Sequence, residues 1–231
     1  MIIPLATRPS DLSYLGLRAT IGFVGVLMPI VVWFIGWLYS LDPRIYDTVS
    51  AHYYSQARDI FVGSMALIGM LIYFYQSPDK ADIFVAKITG VAGILIGIMP
   101  MAHKPEMAAD YQYTLFENLH LYPVTIFFLG GIYLVLFSFR KTVIVRLSKN
   151  MTLSEMAPDM KGKGKKLLRN QIYLGCGIIM SLGGLVLALA NYLEPSFMWW
   201  AGWRYYPETA MIVAFAIAWL VKGQTFKFIR D

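Results

Sequence analysis

The sequence predicts an all-α, polytopic membrane protein that folds as a compact bundle of six transmembrane helices. It is 58% hydrophobic and only 15% charged, whereas soluble domains average roughly 25% charged residues. Its six apolar stretches have 17–23 residues each, close to the roughly 20 residues that cross a hydrocarbon core of ~30 Å. Lys and Arg are concentrated on one side of these stretches. The predicted spans are residues 17–39, 58–76, 84–102, 121–139, 171–192 and 206–222.

The distribution of positive charge sets the predicted orientation. Of the 20 Lys and Arg residues, 16 lie on one side of the six spans. Because the side richer in Lys and Arg faces the cytoplasm, we expect both termini and the loop 140–170 to be cytoplasmic. The other four Lys and Arg residues lie on the predicted outer side; they are Arg44, Arg58, Lys104 and Arg204. All three histidines lie on the same side.

The connections between spans are too short for a separate folded domain, so we expect residues 1–231 to form one transmembrane domain. The first 16 residues are mixed and polar. The apolar stretch that follows is longer than that of a cleavable signal and lacks a small-residue cleavage site. We therefore expect the first span to remain as a transmembrane helix.

Aromatic residues mark the predicted outer boundary of the membrane. Trp33 and Trp37 lie near the end of the first span, and Trp203, Tyr205 and Tyr206 precede or begin the last one. Such side chains settle at the level of the lipid headgroups because each has an apolar ring and a polar edge. Their positions support the predicted ends of these two spans.

Small residues within the spans favour a compact bundle over a wide pore. Gly93 and Gly97 form a G-x-x-x-G pattern in the third span, and other spans also contain glycine. Small side chains let helices approach closely in lipid. Cys176 is the only cysteine, which excludes an intramolecular disulfide, and we interpret it as a small buried apolar residue.

The loop 140–170 is strongly basic and contains KGKGKK at residues 161–166. A basic cluster next to a span attracts anionic lipid headgroups, with about 1 kcal/mol for each Lys or Arg. The expected partners are therefore membrane lipids, with anionic headgroups at this loop. A solvated orientation signal without a specific ligand explains the same residues, and we favour it. Since membrane topology explains the pI of 9.3, we expect no nucleic acid partner.

Polar residues collect where predicted spans begin on the outer side. The run SAHYYSQARD, residues 50–59, places Tyr54, Arg58 and Asp59 at the start of the second span. His120 and Glu208 begin the fourth and sixth spans. A compact bundle would bring these five residues to one outer mouth, which we predict to be the ligand-binding site. Helix-end roles are the alternative: Arg58 can reach lipid phosphates, and carboxylates suit helix N-termini.

Histidines and carboxylates on the outer side also raise the question of catalysis. If the protein is an enzyme, Asp59 and His120 are the candidate catalytic residues, with either as general base. Three histidines plus water would match a catalytic zinc site, but His52, His103 and His120 form no local motif. We therefore predict no metal and no cofactor. Ser50 lacks the G-x-S-x-G elbow of hydrolase nucleophiles.

Basic residues also lie at the predicted inner ends of the spans. Arg18 and Lys87 lie about one turn inside their spans and can extend to the headgroups. Arg169, Asn170 and Lys222 either form an inner polar cluster or anchor their helices. The centres of the predicted spans contain no ionisable residues of the kind that a proton relay or voltage sensor needs.

Four strings carry a resemblance to known proteins: SAHYYSQARDIFVG, His120 before PVTIFF, RNQIYLGCG, and PETAMIVAFAIAWLVKG. Over about residues 18–223, the chain resembles a family of uncharacterised bacterial six-helix integral membrane proteins, a domain of unknown function. The resemblance implies the six-helix fold and a bacterial inner membrane, and supplies no activity. A vaguer similarity exists to membrane ceramidase-like hydrolases, which place Ser, His and Asp at a helix-bundle mouth. The chain lacks their H-x-x-x-H pair.

Three functions remain open. The first is binding of a lipid or other amphiphile at the outer mouth, where Arg58 would bind an anionic headgroup and the carboxylates and His120 would orient it. The second is a membrane hydrolase or transferase that uses Asp59 or His120 at the same mouth. The third is a small transporter or channel, which would need a continuous polar path to Asn170 and Lys222. A purely structural or assembly role is a further possibility.

Overall fold

The computed structural model describes residues 9–39, 48–101, 115–141, 160–193, 203–226 and 228, which are mostly helical. Its helices are α1 Pro9–Tyr39, α2 Arg58–Tyr73, α3 Lys80–Ile98, α4 Leu115–Leu119, α5 Leu121–Tyr133, α6 Met160–Leu193 and α7 Tyr205–Lys222. A 3-10 helix, Ser50–Tyr54, precedes α2, and a π-helical turn, Leu134–Ser138, continues α5. No β-strand occurs within these ranges. The predicted all-α class is confirmed.

Four helical segments are long and apolar enough to cross a membrane: Tyr14–Tyr39, Lys80–Ile98, Leu115–Ser138 and Gly164–Leu189. They support a membrane protein. The α2 helix is shorter, with 16 residues. The α7 helix begins with Tyr-Tyr-Pro-Glu and ends on Lys, which lowers its mean hydropathy. That α2 and α7 also cross the membrane therefore stays a prediction.

Large apolar side chains are exposed along the long helices, as a surface in contact with lipid requires. In water, a continuous apolar surface of this kind would mark an interaction site or promote aggregation. The exposed side chains include Phe23, Leu27, Phe84, Leu129 and Leu182.

The six long helices pack in the ring order α1, α2, α3, α5, α6 and α7, with α7 against α1. We call the end where α2, α5 and α7 begin the upper end, and the end where α3 and α6 begin the lower end. The upper end corresponds to the predicted outer side. The core is aromatic from the middle of the bundle to its lower end: Trp219 is fully buried, and its ring centroid lies 6.0 Å from that of Phe215 and 4.9 Å from that of Phe139.

The π-helical turn changes the direction of side chains at the end of α5. The Phe139 N–H donates to the Leu134 carbonyl, five residues back, at 2.8 Å. This longer hydrogen-bonded ring inserts one residue into the helical repeat. Ser138 and Phe139 are adjacent in sequence, yet both are buried.

Close contact between α2 and α3 depends on glycine. A Cβ atom added to Gly69 would lie 2.5 Å from the Gly90 carbonyl oxygen, and one added to Gly90 would lie 2.6 Å from the Gly69 oxygen. The predicted G-x-x-x-G residues belong to the same interface, since a Cβ on Gly93 would lie 3.1 Å from the Gly69 Cα and one on Gly97 would lie 3.1 Å from the Val62 oxygen. Their predicted role in close helix packing is confirmed.

We predict that Gly69→Ala lowers the free energy of unfolding by about 1–3 kcal/mol, because the new methyl group meets backbone atoms of α3 that cannot move alone. The matched control is Gly63→Ala on the same helix, where an added Cβ meets nothing within 4 Å. Ala there should leave stability unchanged or raise it by up to about 1 kcal/mol. Denaturant titration in detergent micelles, followed by circular dichroism, measures both. Equal losses in the two variants would contradict the glycine contact.

Candidate functional site

Glu208 is the most buried of the predicted carboxylates at the upper end, with 8% of its surface exposed. Its Oε2 atom accepts a hydrogen bond from the Val49 N–H at 2.9 Å, and Oε1 accepts one from the Ser50 hydroxyl at 3.3 Å. Both donors belong to the segment that enters the 3-10 helix. Glu208 also lies in the first turn of α7, where the helix dipole favours a negative charge. Glu208 thus attaches this segment to α7.

His52 is fully buried behind the same segment. Its Nδ1 atom lies 3.1 Å from the Val49 carbonyl oxygen, which can only accept, so Nδ1 carries the proton. The ring lies 5.8 Å from that of Tyr205, and the Tyr205 hydroxyl donates to the Pro29 carbonyl at 2.6 Å. Burial lowers the pKa of His52, while hydrogen bonds to backbone carbonyls oppose this shift. His52 is therefore held in its neutral form.

Tyr54 joins the 3-10 helix to the segment before α5. Its hydroxyl lies 2.9 Å from the Met101 carbonyl oxygen and 3.1 Å from Glu117 Oε1. Glu117 is buried, and sequence analysis did not include it in the predicted site. Two acceptor oxygens thus converge on one phenol, an arrangement in which either the phenol proton is shared or the carboxyl is protonated.

His120, a second buried histidine, is only 7% exposed. Its Nδ1 atom donates to the Met99 carbonyl at 2.8 Å, which leaves Nε2 as the acceptor atom of the neutral ring. Nε2 is buried, and no donor to it exists among the residues that the structure describes. His120 therefore positions the start of α5 against the end of α3.

Arg58 and Asp59 are both exposed at the start of α2. Arg58 donates from Nη2 to the Tyr53 hydroxyl at 2.9 Å, and its guanidinium lies 4.6 Å from the centre of that ring. Across the described ranges, no hydrogen bond or ion pair joins Asp59 to His120. The five predicted residues thus share the upper end but form separate contacts rather than one cluster.

A narrow cavity of about 20 Å³ opens beside Glu208 and Ser50. That volume accommodates about one water molecule. Its other lining residues are apolar and come mainly from α1, α2, α5 and α7; they include Met28, Phe61, Met65, Val124, Phe127 and Phe215. Glu208 is therefore the one ionisable residue among those that line this cavity.

The lower end contains a polar cluster that sequence analysis did not predict. Asp82 has no exposed surface, and its carboxylate accepts four hydrogen bonds. The donors are Ser77 at 3.0 Å, Tyr133 at 3.1 Å, Ser138 at 2.8 Å and Lys141 at 2.6 Å. These bonds compensate for the cost of burying a charge. The cluster ties the turn between α2 and α3 to the end of α5.

Lys141 also pairs with Asp79, which caps α3 by accepting a hydrogen bond from the Ala81 N–H. The hydrogen bond from Lys141 lowers the pKa of Asp79. Hydrogen bonds to Asp79 and then Asp82 raise the pKa of Lys141. Lys141 is therefore positively charged at every physiological pH.

Neither a metal-binding cluster among the described residues nor a similar known protein indicates what the site does. Within the described ranges, no three His, Cys, Asp or Glu side chains lie close enough to hold a metal ion, and His103 falls outside those ranges. No family model, curated protein or solved structure matches the chain. The geometry of its own residues must therefore carry any assignment of function.

We predict a pH-dependent contribution of His52 to stability. Because burial lowers its native pKa below the ordinary 6.5, this contribution is fully present above about pH 6.5 and is lost as the pH falls through the native pKa. His52→Asn keeps an N–H group for the Val49 carbonyl but does not titrate. Melting temperatures in detergent should therefore differ more between wild type and variant at pH 8 than at pH 5. A constant difference across this range would contradict the assignment.

Proposed function

We propose that this chain is a six-span integral membrane protein that binds a lipid or other amphiphile in the cavity beside Glu208. One observation carries the proposal: the two polar lining residues, Glu208 and Ser50, lie at one end of a cavity whose other lining residues are apolar. An amphiphile has the same two parts, a polar head and an apolar body. Binding pockets commonly combine apolar walls with a few polar groups that orient the ligand.

The charge of Glu208 selects among possible head groups. An ionised carboxylate can only accept hydrogen bonds, so a head that donates them or carries positive charge is favoured. The sequence-based hypothesis of an anionic head bound by Arg58 has less support, because Arg58 is exposed and rests on Tyr53. The proposed ligand is therefore an amine or alcohol amphiphile.

The narrowness of the cavity constrains how such a ligand enters. A volume of about 20 Å³ is too small for an alkyl chain unless wall side chains move. Met28 and Met65 line the cavity, and unbranched methionine changes rotamer readily. Binding therefore involves rearrangement of these side chains rather than insertion into a preformed tunnel.

The alternatives receive less support from the same geometry. A transporter would need a polar path between the two ends, whereas Phe127, Phe215 and Trp219 fill the described interior between them. An enzyme with Asp59 and His120 in one reaction would need them together. Asp59 is exposed, whereas His120 is buried against Met99.

A cavity-filling substitution tests the proposed binding. Val124→Phe adds a ring to the cavity wall, while the control Val91→Phe adds the same volume on the exposed face of α3. We expect native mass spectrometry of purified wild type and Val91→Phe to show a retained amphiphile that Val124→Phe loses. Melting temperatures confirm that all three are folded. Absence of a retained amphiphile from folded wild type, or its equal retention by Val124→Phe, would contradict the proposal.

The proposed topology places six spans in a bacterial inner membrane, with both termini in the cytoplasm, as in the bacterial family that the sequence resembles. In a Cys176→Ser background, Gln56→Cys and Lys80→Cys report on the two ends of α2, since both positions are exposed. We expect a membrane-impermeant maleimide to label Gln56→Cys on intact cells. Lys80→Cys should react only after permeabilisation. Labelling of both on intact cells would show that α2 does not cross.

A further inference from the structure

The cavity beside Glu208 reaches the surface of the bundle on one side. Among the described residues that line it, only Val124 and Phe128 are partly exposed, and the others are buried. These two residues lie four positions apart on α5, so their side chains share one face of that helix. Exchange between the cavity and its surroundings therefore passes this face of α5.

Nearer the lower end, the same face of α5 is covered by α6. Gly131 lies seven residues after Val124, which places it in the same stripe of the helix. A Cβ atom added to Gly131 would lie 3.2 Å from the Met180 Cε atom of α6. A Cβ atom added to Gly177 would likewise overlap the side chain of Leu136. Close contact between α5 and α6 thus extends from the lower end up to the level of Gly131.

Above Met180, α6 packs against α7 instead of α5. A Cβ atom added to Gly183 would lie 2.5 Å from the Met211 Cγ atom, and Gly183 is the one buried residue in the range 181–189. Gly184 has no side chain to place beside α5, and beyond its own helix an added Cβ would meet only Met211 Cε, at 3.4 Å, among the described residues. Of the neighbouring helices in the ring, α5 and α6 are accordingly the most loosely packed pair over the described ranges.

We call the space between Val124 and Phe128 on α5 and Gly184 on α6 the lateral opening. Both of its sides belong to segments that are long and apolar enough to cross a membrane, Leu115–Ser138 and Gly164–Leu189. In a membrane, side chains at this depth contact lipid chains rather than water. The lateral opening therefore connects the cavity with the hydrocarbon of the upper leaflet.

The path from the upper end of the bundle is closed by comparison. Val49 and Ser50 are buried and donate hydrogen bonds to the Glu208 carboxylate at 2.9 Å and 3.3 Å. A ligand that arrived from water would have to break these bonds. A ligand that arrived from the membrane would need only a change of rotamer at the partly exposed Phe128, a fast motion.

We propose, building on the proposed function, that the ligand is a lipid of the upper leaflet that enters through the lateral opening. Its small amine or hydroxyl head would lie beside Glu208, and its alkyl chain would extend between α5 and α6 into the bilayer. The cavity volume of about 20 Å³ agrees with this arrangement, since it accommodates a group the size of a water molecule and the chain remains outside. A head that donates hydrogen bonds also matches a carboxylate, which can only accept them.

A substitution that blocks the lateral opening without changing the cavity wall tests the route. Gly184→Phe places a ring in the opening, and Gly184 does not line the cavity. The matched control is Gly175→Phe on the same helix, where an added Cβ meets nothing within 4 Å. Gly184→Leu is a smaller replacement in case the phenylalanine variant does not fold. Melting temperatures show which variants are folded.

The probes are two amines that carry a photoreactive diazirine group. One has a long alkyl chain and is delivered by cyclodextrin to phosphatidylcholine vesicles that contain the full-length chain. The other has a short chain, dissolves in water and is added to the same vesicles. Flashes of light at increasing times after mixing attach each probe to the protein. Mass spectrometry of peptides then gives the rate at which the residues that line the cavity become labelled.

We expect the long-chain probe to label the cavity of wild type and Gly175→Phe at the same rate, and that of the folded Gly184 variant roughly tenfold more slowly or less. An unchanged rate in the Gly184 variant, or equal slowing in Gly175→Phe, would overturn the lateral route and leave the cavity as a binding site. Labelling by the short-chain probe alone would do the same, because it would assign the ligand to water. Absence of cavity labelling by either probe in wild type would contradict the proposed function itself, and the lateral route with it.

Discussion

Buried polar groups in an apolar bundle must find their hydrogen bonds within the protein, and this requirement shapes both ends of the molecule. At the lower end, Asp82 collects four donors, three of them from residues 51 to 59 positions later in the chain. At the upper end, Glu208 collects Val49 and Ser50 from 158 to 159 positions earlier. Each carboxylate thus fixes a connecting segment to a helix that is distant in sequence. The helix ends are held by polar contacts, and the space between them can remain apolar.

The two ends consequently differ in chemical character although they share this principle. Buried carboxylates and neutral histidines dominate the upper end, where Glu208, Glu117, His52 and His120 are all shielded from solvent. Cations on aromatic faces distinguish the lower end, as in the contact of Lys222 with Phe139. An aromatic layer separates these environments. The two ends therefore differ in their chemistry, with buried carboxylates and neutral histidines at the upper end and cations on aromatic faces at the lower end.

Much of the fold follows from sequence because hydropathy and glycine spacing act locally. Each predicted span coincides with a described helix to within a few residues at most boundaries, apart from the longer starts of α1 and α6. The site was harder to predict. Asp59 follows Arg58, and neighbours on a helix point about 100° apart, so sequence proximity could not decide whether either faces the interior. Asp82 lies three residues after the N-cap residue Asp79. Acidic residues are common at this position in helices, so the sequence did not distinguish Asp82 from an ordinary first-turn acid. Its burial depends on donors far along the chain, which spacing alone does not reveal.

The π-helical turn after α5 gives the length of this segment a special importance. It directs Ser138 to Asp82, and the next residue, Phe139, offers its carbonyl to Lys222. The residue that the π-helical turn inserts therefore positions two hydrogen-bonding groups, one for the carboxylate of Asp82 and one for the ammonium group of Lys222. Removal of a residue from this turn would rotate everything after it by about 100° about the helix axis, and would withdraw both groups together. A substitution in this turn alters one contact at a time, whereas the insertion or deletion of a residue would change both hydrogen bonds at the lower end.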